Sequence, residues 1–370
     1  MTPAAPLATK LDRVCIVMMS AIGDTVHVLP VIAALKRHHP AMHLSWVLQS
    51  GPASLVRGHP DVDEIIPFAY DRGWRAFAEV RRALARREFD LVIDLQVSLK
   101  AGLVTAFTRA PVKLGFDRAR AYDANWLFTT HRIPAGPRRH VQDQYFEFLA
   151  HLGVPHEPVR WGLGPWASER EANRAFFQRF DRPVVSIVCG TSDRDRDWRP
   201  DRWAALCDAL STDFDLQPVL VGGPSERERA TAAAIIAACR ISAPVDALGQ
   251  GGLRGLVGIL EGSALVISLD TAPLHMSVAV DTPVVALMSQ ADPKRTGPYG
   301  KGEDLVVNAF AEPDDPPGEV LWTRRRGRMD GITVEMVLER VQRWRRTRFR
   351  SSGPSVPMPP PLAPEGDSRG

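Results

Sequence analysis

The sequence contains few cysteines and no apolar segment long enough to cross a membrane. Four cysteines occur in 370 residues, far apart and without the close pairs of a zinc site or a disulfide framework (Cys15, Cys189, Cys207 and Cys239). We therefore expect buried free thiols and a reducing, cytoplasmic location. The apolar run 14–19 is shorter than the roughly 20 residues that span a bilayer, and residues 1–10 lack the apolar core of a signal peptide.

The sequence also lacks the usual signatures of nucleic-acid, metal and dinucleotide binding. A net charge of +3 does not favour a nucleic-acid partner. No Gly-x-x-x-x-Gly-Lys-Ser/Thr motif occurs, and the glycine-rich stretch 249–255 misses the dinucleotide fingerprint by one residue and follows no apolar strand. The alternating acids Asp193, Asp195 and Asp197 are interrupted by arginines, and no other cluster has metal-ligand spacing. We therefore predict no nucleic-acid partner, no metal and no cofactor.

Strands and helices alternate twice along the chain. Strand-like apolar runs at 14–19, 43–48, 64–68 and 90–95 are separated by helical patterns, the first of them at 25–39. A second alternation begins with a strand at 184–189, a helix at 200–213 and a strand at 217–221. Residues 156–167, rich in Pro, Gly and Trp, indicate a linker. The pattern predicts two doubly wound Rossmann-like α/β domains, at 1–160 and 168–345. The tail 351–370 is rich in Pro, Ser and Gly, and we expect it to be disordered.

Ligands of open parallel sheets bind at the carboxyl ends of the strands, so the turns that follow the strands are candidate sites. The first turn is Ser20-Ala21-Ile22-Gly23-Asp24. Its small residues permit close backbone approach, and the helix after it offers free N–H groups. Asp24 fits either a helix N-cap, which the spacing alone favours, or a general base in a cleft.

Two further turns lie in the second half of the chain. Residues 190–200 combine hydroxyls with arginines before a helix, which suits either a diphosphate site or a solvated loop whose opposite charges neutralise each other. The turn Asp270-Thr271-Ala272-Pro273-Leu274-His275 follows an apolar strand. Helix capping accounts for Asp270, Thr271 and Pro273 without a ligand. His275 is either a ligand-binding residue or a histidine satisfied within the core.

In these turns the sequence resembles the bacterial lipopolysaccharide heptosyltransferases of glycosyltransferase family 9, from about Val14 to Tyr299. The stretches that carry the resemblance, in chain order, are Ser20–Asp24 with Leu29-Pro30, Asp94-Leu95-Gln96 with Lys100, 115–118, His140, Arg196-Asp197-Trp198-Arg199-Pro200, Gly222-Gly223-Pro224-Ser225-Glu226 and Asp270–His275. Each stretch is modest alone, whereas their order and their positions after strands make the set specific.

The resemblance implies a GT-B fold, in which two Rossmann-like domains face each other across a cleft. It implies metal-independent, inverting transfer of heptose from ADP-L-glycero-D-manno-heptose to the inner core of lipopolysaccharide, on Kdo-lipid A or a heptosyl acceptor. In that reaction Asp24 is the candidate base. The candidates for donor and phosphate binding are Thr191, Ser192, Arg196, Asp270, Thr271, Ala272 and His275, with Glu226 for the ribose. Gly23, Gln96 and Lys100 are the acceptor-side candidates.

Two positions depart from the family pattern, and one further segment bears on the lipid acceptor. Ala272 stands where glycine is usual, and Arg196 where the closest heptosyltransferases commonly have lysine. Arginine can bridge two phosphate oxygens, so donor binding remains feasible. The arginine-rich stretch 343–350, with Trp344 and Phe349, fits either a peripheral contact with the inner face of the inner membrane or a solvated helix end.

Three alternatives to a heptosyltransferase remain at this stage. The first is a family member with another sugar nucleotide or acceptor. The second is a Rossmann-type oxidoreductase, against which the missing glycine fingerprint argues. The third is a non-catalytic nucleotide-binding protein, against which Asp24 together with the turn 270–275 argues.

Overall fold

A computed structural model describes residues 6–351, and its N-terminal half is built on a six-stranded parallel sheet. The strands follow the order β3-β2-β1-β4-β5-β6. Strands β2 and β3 are added on one side of β1 and strands β4 to β6 on the other, so the strand order reverses between β1 and β4. Register is fixed by pairs such as Cys15 with Ser45 and Cys15 with Val92. The elements are β1 Arg13–Val17, α1 Ile22–His38, β2 His43–Leu48, α2 Ser50–Val56, β3 Glu64–Pro67, α3 Trp74–Leu84, β4 Leu91–Asp94, α4 Leu99–Phe107, β5 Val112–Gly115, β6 His131–Arg132 and α5 Val141–His151.

The C-terminal half repeats this architecture with a second six-stranded parallel sheet. Its order, β12-β11-β10-β7-β8-β9, places the reversal between β7 and β10. Both sheets have the doubly wound arrangement, so the predicted pair of Rossmann-like α/β units is confirmed. The elements are α6 Arg170–Phe177, β7 Val184–Val188, α7 Pro200–Asp213, β8 Gln217–Val221, α8 Glu226–Ala238, β9 Val245–Asp246, α9 Gly252–Gly262, β10 Leu265–Leu269, α10 Ala272–Ala279, β11 Val284–Met288, α11 Pro293–Thr296, β12 Val306–Asn308 and α12 Val334–Ser351.

The apolar core continues from one half into the other. The central strands are buried on both faces, as in β1, where 14–17 are solvent-inaccessible, because helices cover both sides of each parallel sheet. One cluster of buried side chains includes residues of both halves, such as Leu29 of α1 and Leu274 of α10. Helices α1 and α10 pack against each other, so the two sheet edges that carry the candidate turns are held together.

Several sequence predictions can be compared with these bounds. Helix α1 begins at Ile22, earlier than the predicted start at residue 25, and therefore includes Asp24. All four cysteines are free thiols, three of them buried. No regular element occurs between α5 and residue 167, where the linker was predicted. We keep 1–160 and 168–345 as proposed domain limits. The tail predicted at 351–370 lies outside the described residues, apart from Ser351 at the end of α12.

Among the described residues, no helix is both long and apolar enough to cross a membrane.

Candidate functional site

The turns at the reversal points of the two sheets meet where the N-termini of α1 and α10 approach each other. Gly23, in the first turn of α1, lies against His275 of α10. A Cβ atom at Gly23 would be 3.0 Å from His275 Cδ2 and 3.8 Å from the Ala272 Cα. The glycine therefore permits a contact between the halves that a larger residue would push apart. Two helix N-termini, each carrying partial positive charge, converge at one place.

Asp24 is the third residue of α1, and its two carboxylate oxygens have different surroundings. Oδ2 accepts a hydrogen bond of 3.0 Å from the backbone N–H of Ala21, which occupies the N-cap position. The interpretation of Asp24 as the N-cap residue is therefore wrong, because Ala21 occupies that position. Asp24 lies within the first turn, and its carboxylate accepts the N–H of the N-cap residue. Burial raises the Asp24 pKa, while the Ala21 N–H and the positive charge of Arg295 partly offset this rise. No second hydrogen bond to Asp24 forms within residues 6–351, so Oδ1 is free to take a proton.

Asp24 faces a cavity of about 270 Å³ between the two halves. Side chains of the N-terminal half form most of its wall, and Arg295 and Trp322 close it from the C-terminal half. The lining residues are Met18, Ser20, Asp24, Leu95, Gln96, Val97, Ser98, Phe116, Arg120, Tyr122, Val141, Gln144, Tyr145, Arg295 and Trp322. Arg295 and Trp322 were missed in the sequence, because they lie in segments without a recognisable motif.

The acceptor-side candidates divide between this cavity and the surface. Gln96 lines the cavity, and its Oε1 accepts the Met19 N–H at 2.9 Å, which ties the end of β4 to the turn after β1. Lys100 instead lies outside the cavity lining, exposed, with its ammonium bound to the Tyr70 hydroxyl and 4.0 Å from the centre of the Tyr70 ring. The structure therefore brings Gln96 to Asp24 and leaves Lys100 on the outer rim.

Asp94, which precedes this turn, has a structural role. Its carboxylate is buried and accepts hydrogen bonds from Thr105 Oγ1 at 2.9 Å and Asn125 Nδ2 at 3.0 Å. Burial raises the Asp94 pKa to about 7, although those hydrogen bonds lower it. Asn125 also donates to the carbonyl oxygens of Gln96 and Ser98, so the network fixes the loop above the cavity.

On the opposite side, the turn after β7 is held against the turn after β10. Arg196 Nη1 donates to the backbone oxygen of Asp270 at 2.8 Å, and its Nη2 lies 3.4 Å from Ser192 Oγ. Arg196 Nε is shielded from solvent and has no partner within the described chain. Thr191 donates from its hydroxyl to the Asp193 backbone oxygen and from its N–H to Asp197. Arg196 therefore links Ser192 to Asp270, and Thr191, next to Ser192 in the chain, is held by Asp193 and Asp197.

Helix α10 presents its N-terminus to the same space. Thr271 occupies the N-cap position, but its side chain makes no capping hydrogen bond, so the capping explanation for this turn is incomplete. Pro273 has no N–H, and the Leu274 N–H donates to the Thr271 backbone oxygen at 3.0 Å. The Ala272 N–H is therefore the donor that this helix end can offer to an anion. The Asp270 pKa is raised by burial and lowered by the neighbouring charges of Arg196 and Arg295.

His275 lies one turn into α10 and is buried against other histidines. Its ring centre is 4.4 Å from that of His27, which in turn lies 5.7 Å from His140. Burial lowers the His275 pKa to about 3, so the ring is neutral at neutral pH and carries no positive charge there.

Glu226 is the first residue of α8, and its side chain is exposed. It forms no hydrogen bond within residues 6–351 and is available to a ligand. The neighbouring Glu228 is occupied, because it accepts from the Gly223 N–H at 2.9 Å and from the Ser225 hydroxyl at 2.6 Å. Within the same range no three His, Cys, Asp or Glu side chains are placed to hold a metal ion.

Two Rossmann-like sheets whose candidate turns meet across a cleft have the arrangement of a GT-B glycosyltransferase. Residues 77–315 match the family model of glycosyltransferase family 9 (heptosyltransferase), and the chain belongs to this family. The lipopolysaccharide core heptosyltransferase OpsX of Haemophilus influenzae is 26% identical over 346 residues, which cover 91% of this chain and 99% of the relative. Lipopolysaccharide heptosyltransferase 1 of Escherichia coli is 28% identical over 318 residues, or 81% and 94% of the two chains.

Solved structures of the family share the fold. A family 9 glycosyltransferase from Veillonella parvula superimposes with a TM-score of 0.77 at 18% identity, over 92% of this chain and 98% of the other. The E. coli heptosyltransferase WaaC with ADP gives a TM-score of 0.70 at 23% identity, over 90% and 99% of the two chains. These likenesses confirm the predicted GT-B fold.

Proposed function

We propose that this glycosyltransferase moves heptose from ADP-L-glycero-D-manno-heptose to the inner core of lipopolysaccharide, on Kdo-lipid A or a heptosyl acceptor. The names of its relatives, a core heptosyltransferase and a heptosyltransferase 1, support this donor and acceptor class. The observation that carries the proposal is the placement of Asp24. Its free carboxylate oxygen faces the cavity between the two halves, and the group formed by Arg196, Asp270 and the α10 N-terminus lies across the cleft.

The proposed reaction is a single displacement with inversion and without a metal. The acceptor hydroxyl transfers its proton to Asp24 as its oxygen forms a bond to the anomeric carbon. The bond from that carbon to the diphosphate oxygen breaks, and its electron pair leaves with ADP. Arg196, the Ser192 hydroxyl and the Ala272 N–H would stabilise the departing negative charge, and Thr191, whose hydroxyl donates to the Asp193 backbone oxygen, would hold this loop in place. Alanine has the same backbone N–H as glycine, so Ala272 keeps this donor.

The remaining site residues have supporting roles in this proposal. Glu226, unoccupied at the start of α8, would accept hydrogen bonds from the ribose hydroxyls. Neutral His275 would hydrogen-bond the donor at the junction with Gly23. Gln96 would orient the acceptor beside Asp24, and Lys100 would contact it from the rim.

Substitution of Asp24 tests the proposed base. Asp24→Asn keeps the size of the side chain and removes its basicity, so we expect turnover to fall about 10²- to 10⁴-fold. Binding of the ADP-sugar, measured by calorimetry, should be unchanged. Asp314→Asn, at an exposed aspartate, is the matched control and should retain full activity. Turnover retained in Asp24→Asn would exclude Asp24 as the base.

A family member with another sugar nucleotide remains the competing function. A calorimetric comparison of ADP-heptose with other ADP-, GDP- and UDP-sugars decides between the two, because only the matching nucleotide and sugar fill both parts of the cleft. Tight binding of ADP-heptose alone supports the heptosyltransferase. Preference for another nucleobase or sugar would replace the proposed donor. It would leave the proposed role of Asp24 as the general base unchanged.

We also propose that the enzyme contacts the membrane in which its lipid acceptor lies. The segment 343–350 offers arginines, but Trp344 of α12 is buried in the core of the C-terminal half, so it does not present its ring to a membrane as the sequence suggested. A second surface fits better. Five of the seven large apolar side chains exposed among the described residues lie on adjacent elements of the N-terminal half (Tyr70, Trp74, Leu99, Tyr122 and Leu127).

This aromatic rim, as we call those five residues, follows the carboxyl ends of β3, β4 and β5. It therefore lies at the same sheet edge as Asp24. Exposed cations occur on the same segments (Arg72, Arg75, Lys100, Arg118 and Arg132). Aromatic side chains beside cations are suited to the interface of an anionic bilayer.

A further inference from the structure

Arg295 is a cation without an anion. It belongs to α11, after β11 of the C-terminal sheet, and its side chain enters the cavity that contains Asp24. Its guanidinium forms no hydrogen bond or ion pair with any residue between 6 and 351. Nε is shielded from solvent and unpartnered. A buried donor left without an acceptor is costly, because it has given up water without replacement.

Another arginine in the same cavity shows the contrast. Arg120 also lines it, but its guanidinium is bound by Asp117, by Glu147 at 2.7 Å and by the Pro134 backbone oxygen at 3.0 Å. Arg120 is therefore part of the scaffold. Arg295 has free donors that face the cavity.

Trp322 holds Arg295 in place. The Arg295 guanidinium carbon lies 4.1 Å from the centre of the Trp322 ring, a close cation–π contact. Arg138 lies 5.1 Å from the same ring, and the Tyr122 ring centre is 6.4 Å away. Trp322 Nε1 is itself shielded and unpartnered. Two buried donors, one of them cationic, are thus fixed beside each other in one cavity.

The electrostatic surroundings locate Arg295 between the two sides of the cleft. Its charge lowers the pKa of Asp24 on the acceptor side and of Asp270 on the donor side. Yet it pairs with neither, since Asp270 instead lies 3.7 Å from Arg196. A guanidinium between two carboxylates that engages neither leaves its planar set of donors open to a third partner.

We propose that Arg295, braced by Trp322, binds an oxyanion of a substrate in this cavity. The inference rests on the proposed function, because it takes the cavity beside Asp24 as the place where acceptor and donor meet. A phosphate or carboxylate fits the pair: the guanidinium supplies charge and two parallel N–H donors, and the indole supplies a third donor. The oxyanion has two potential sources, the donor diphosphate and an acid group on the acceptor sugar.

Binding measurements on Arg295→Met and Arg295→Lys separate these sources. The probes are ADP and a deacylated Kdo-containing core acceptor, each titrated by calorimetry, with the methyl ester of that acceptor as the carboxylate-free comparison. Loss of a charge-assisted contact should weaken binding about ten- to hundredfold in Arg295→Met. The lysine variant should lose less, because it keeps the charge without the planar fork. Lys294→Met, an adjacent exposed cation, is the matched control.

Each outcome has one meaning. Weaker ADP binding assigns the oxyanion to the diphosphate. Weaker acceptor binding with unchanged ADP binding assigns it to the acceptor, and wild-type preference for the acid over the methyl ester should then disappear. Unchanged affinity for both probes in both variants overturns the proposal. Because these are binding constants, they do not depend on Asp24, whose failure as a base would appear only in the turnover of Asp24→Asn.

Discussion

At Asp24, a helix-end contact and the proposed site of proton transfer share one carboxylate. One oxygen satisfies the Ala21 N–H, and the other faces the cavity. Burial favours the neutral acid, whereas the Ala21 N–H and Arg295 favour the carboxylate. A base must be ionised before it can accept a proton, so these neighbours would decide over what pH range Asp24 could work as the proposed base.

The acid limb of the pH profile should report this balance. Because Arg295 lowers the Asp24 pKa, Arg295→Met should raise it and move the acid limb of kcat/KM to higher pH. Tyr145, the other titratable neighbour of Asp24, has a pKa raised by burial and stays neutral, so it does not confuse the measurement. Initial rates across the acid range test this, with Lys294→Met as control. An acid limb that does not move would show that Arg295 exerts no charge effect on the base.

Asp24 could be selected from the sequence, whereas Arg295 could not. Asp24 follows a buried strand and a glycine. Its turn and the later turns occur in the same order as in glycosyltransferase family 9. Arg295 is one of many arginines in an unremarkable Pro-Lys-Arg stretch. Arg295 reaches the cavity beside Asp24 only because α11 and the segment around Trp322 pack against the N-terminal half.

At the scale of elements, α1, α5 and α10 converge on three histidines. His27 Nδ1 lies 3.1 Å from Gln142 Oε1, and His140 Nε2 lies 3.0 Å from the Gly297 backbone oxygen. His27 Nε2 is buried without a partner among the described residues. Burial lowers the pKa of His27, His140 and His275, because a charged imidazolium would lose its hydration there. The contact between the halves is therefore built from neutral rings.

This contact should weaken in acid. The unfolded histidines take up protons near pH 6.5, and the folded ones only at lower pH. The folded state is therefore fully favoured above about pH 6.5 and loses stability as pH falls toward the folded values. Between pH 6.5 and 5, each fully buried histidine costs at most about 2 kcal/mol.

Replacement of His27 tests that expectation. His27→Gln should show a smaller difference in the free energy of unfolding between pH 7.5 and 5 than wild type, measured with urea. His38→Gln, at an exposed histidine, should keep the wild-type difference. Equal pH dependence in His27→Gln and wild type would show that His27 titrates alike in both states.

The elements predicted most closely are those whose own residues define them. The bounds of β2, α7 and β8 match the sequence analysis, because each is a sustained apolar or amphipathic run. Helix α2 and strands β5 and β6 were missed. Strand β6 is two residues long and exists through its pairing with β5, Leu114 to His131. Such an element depends on its neighbours, and the local sequence contains little sign of it.

At the scale of the whole molecule, the site exists only where two halves meet. Asp24, Gln96 and Tyr145 come from the first half, and Arg196, His275 and Arg295 from the second. The net charge of the chain is only +3, yet exposed cations lie beside the aromatic rim. Both lie at the edge of the first sheet that carries Asp24. A lipid-linked acceptor lying in a bilayer would approach from that edge.

Vesicle binding tests whether the aromatic rim faces the membrane. We expect flotation with phosphatidylcholine vesicles to increase when anionic phosphatidylglycerol is included, because each cation near the surface contributes about 1 kcal/mol. The double variant Trp74→Ser and Leu127→Ser removes the two most exposed rim side chains, 82% and 61% accessible, and should weaken binding about tenfold. Ile241→Ser, at a side chain 70% exposed on the other half, should bind like wild type. Loss of binding in Arg343→Gln with Arg346→Gln, but not in the rim variant, would move the contact to α12.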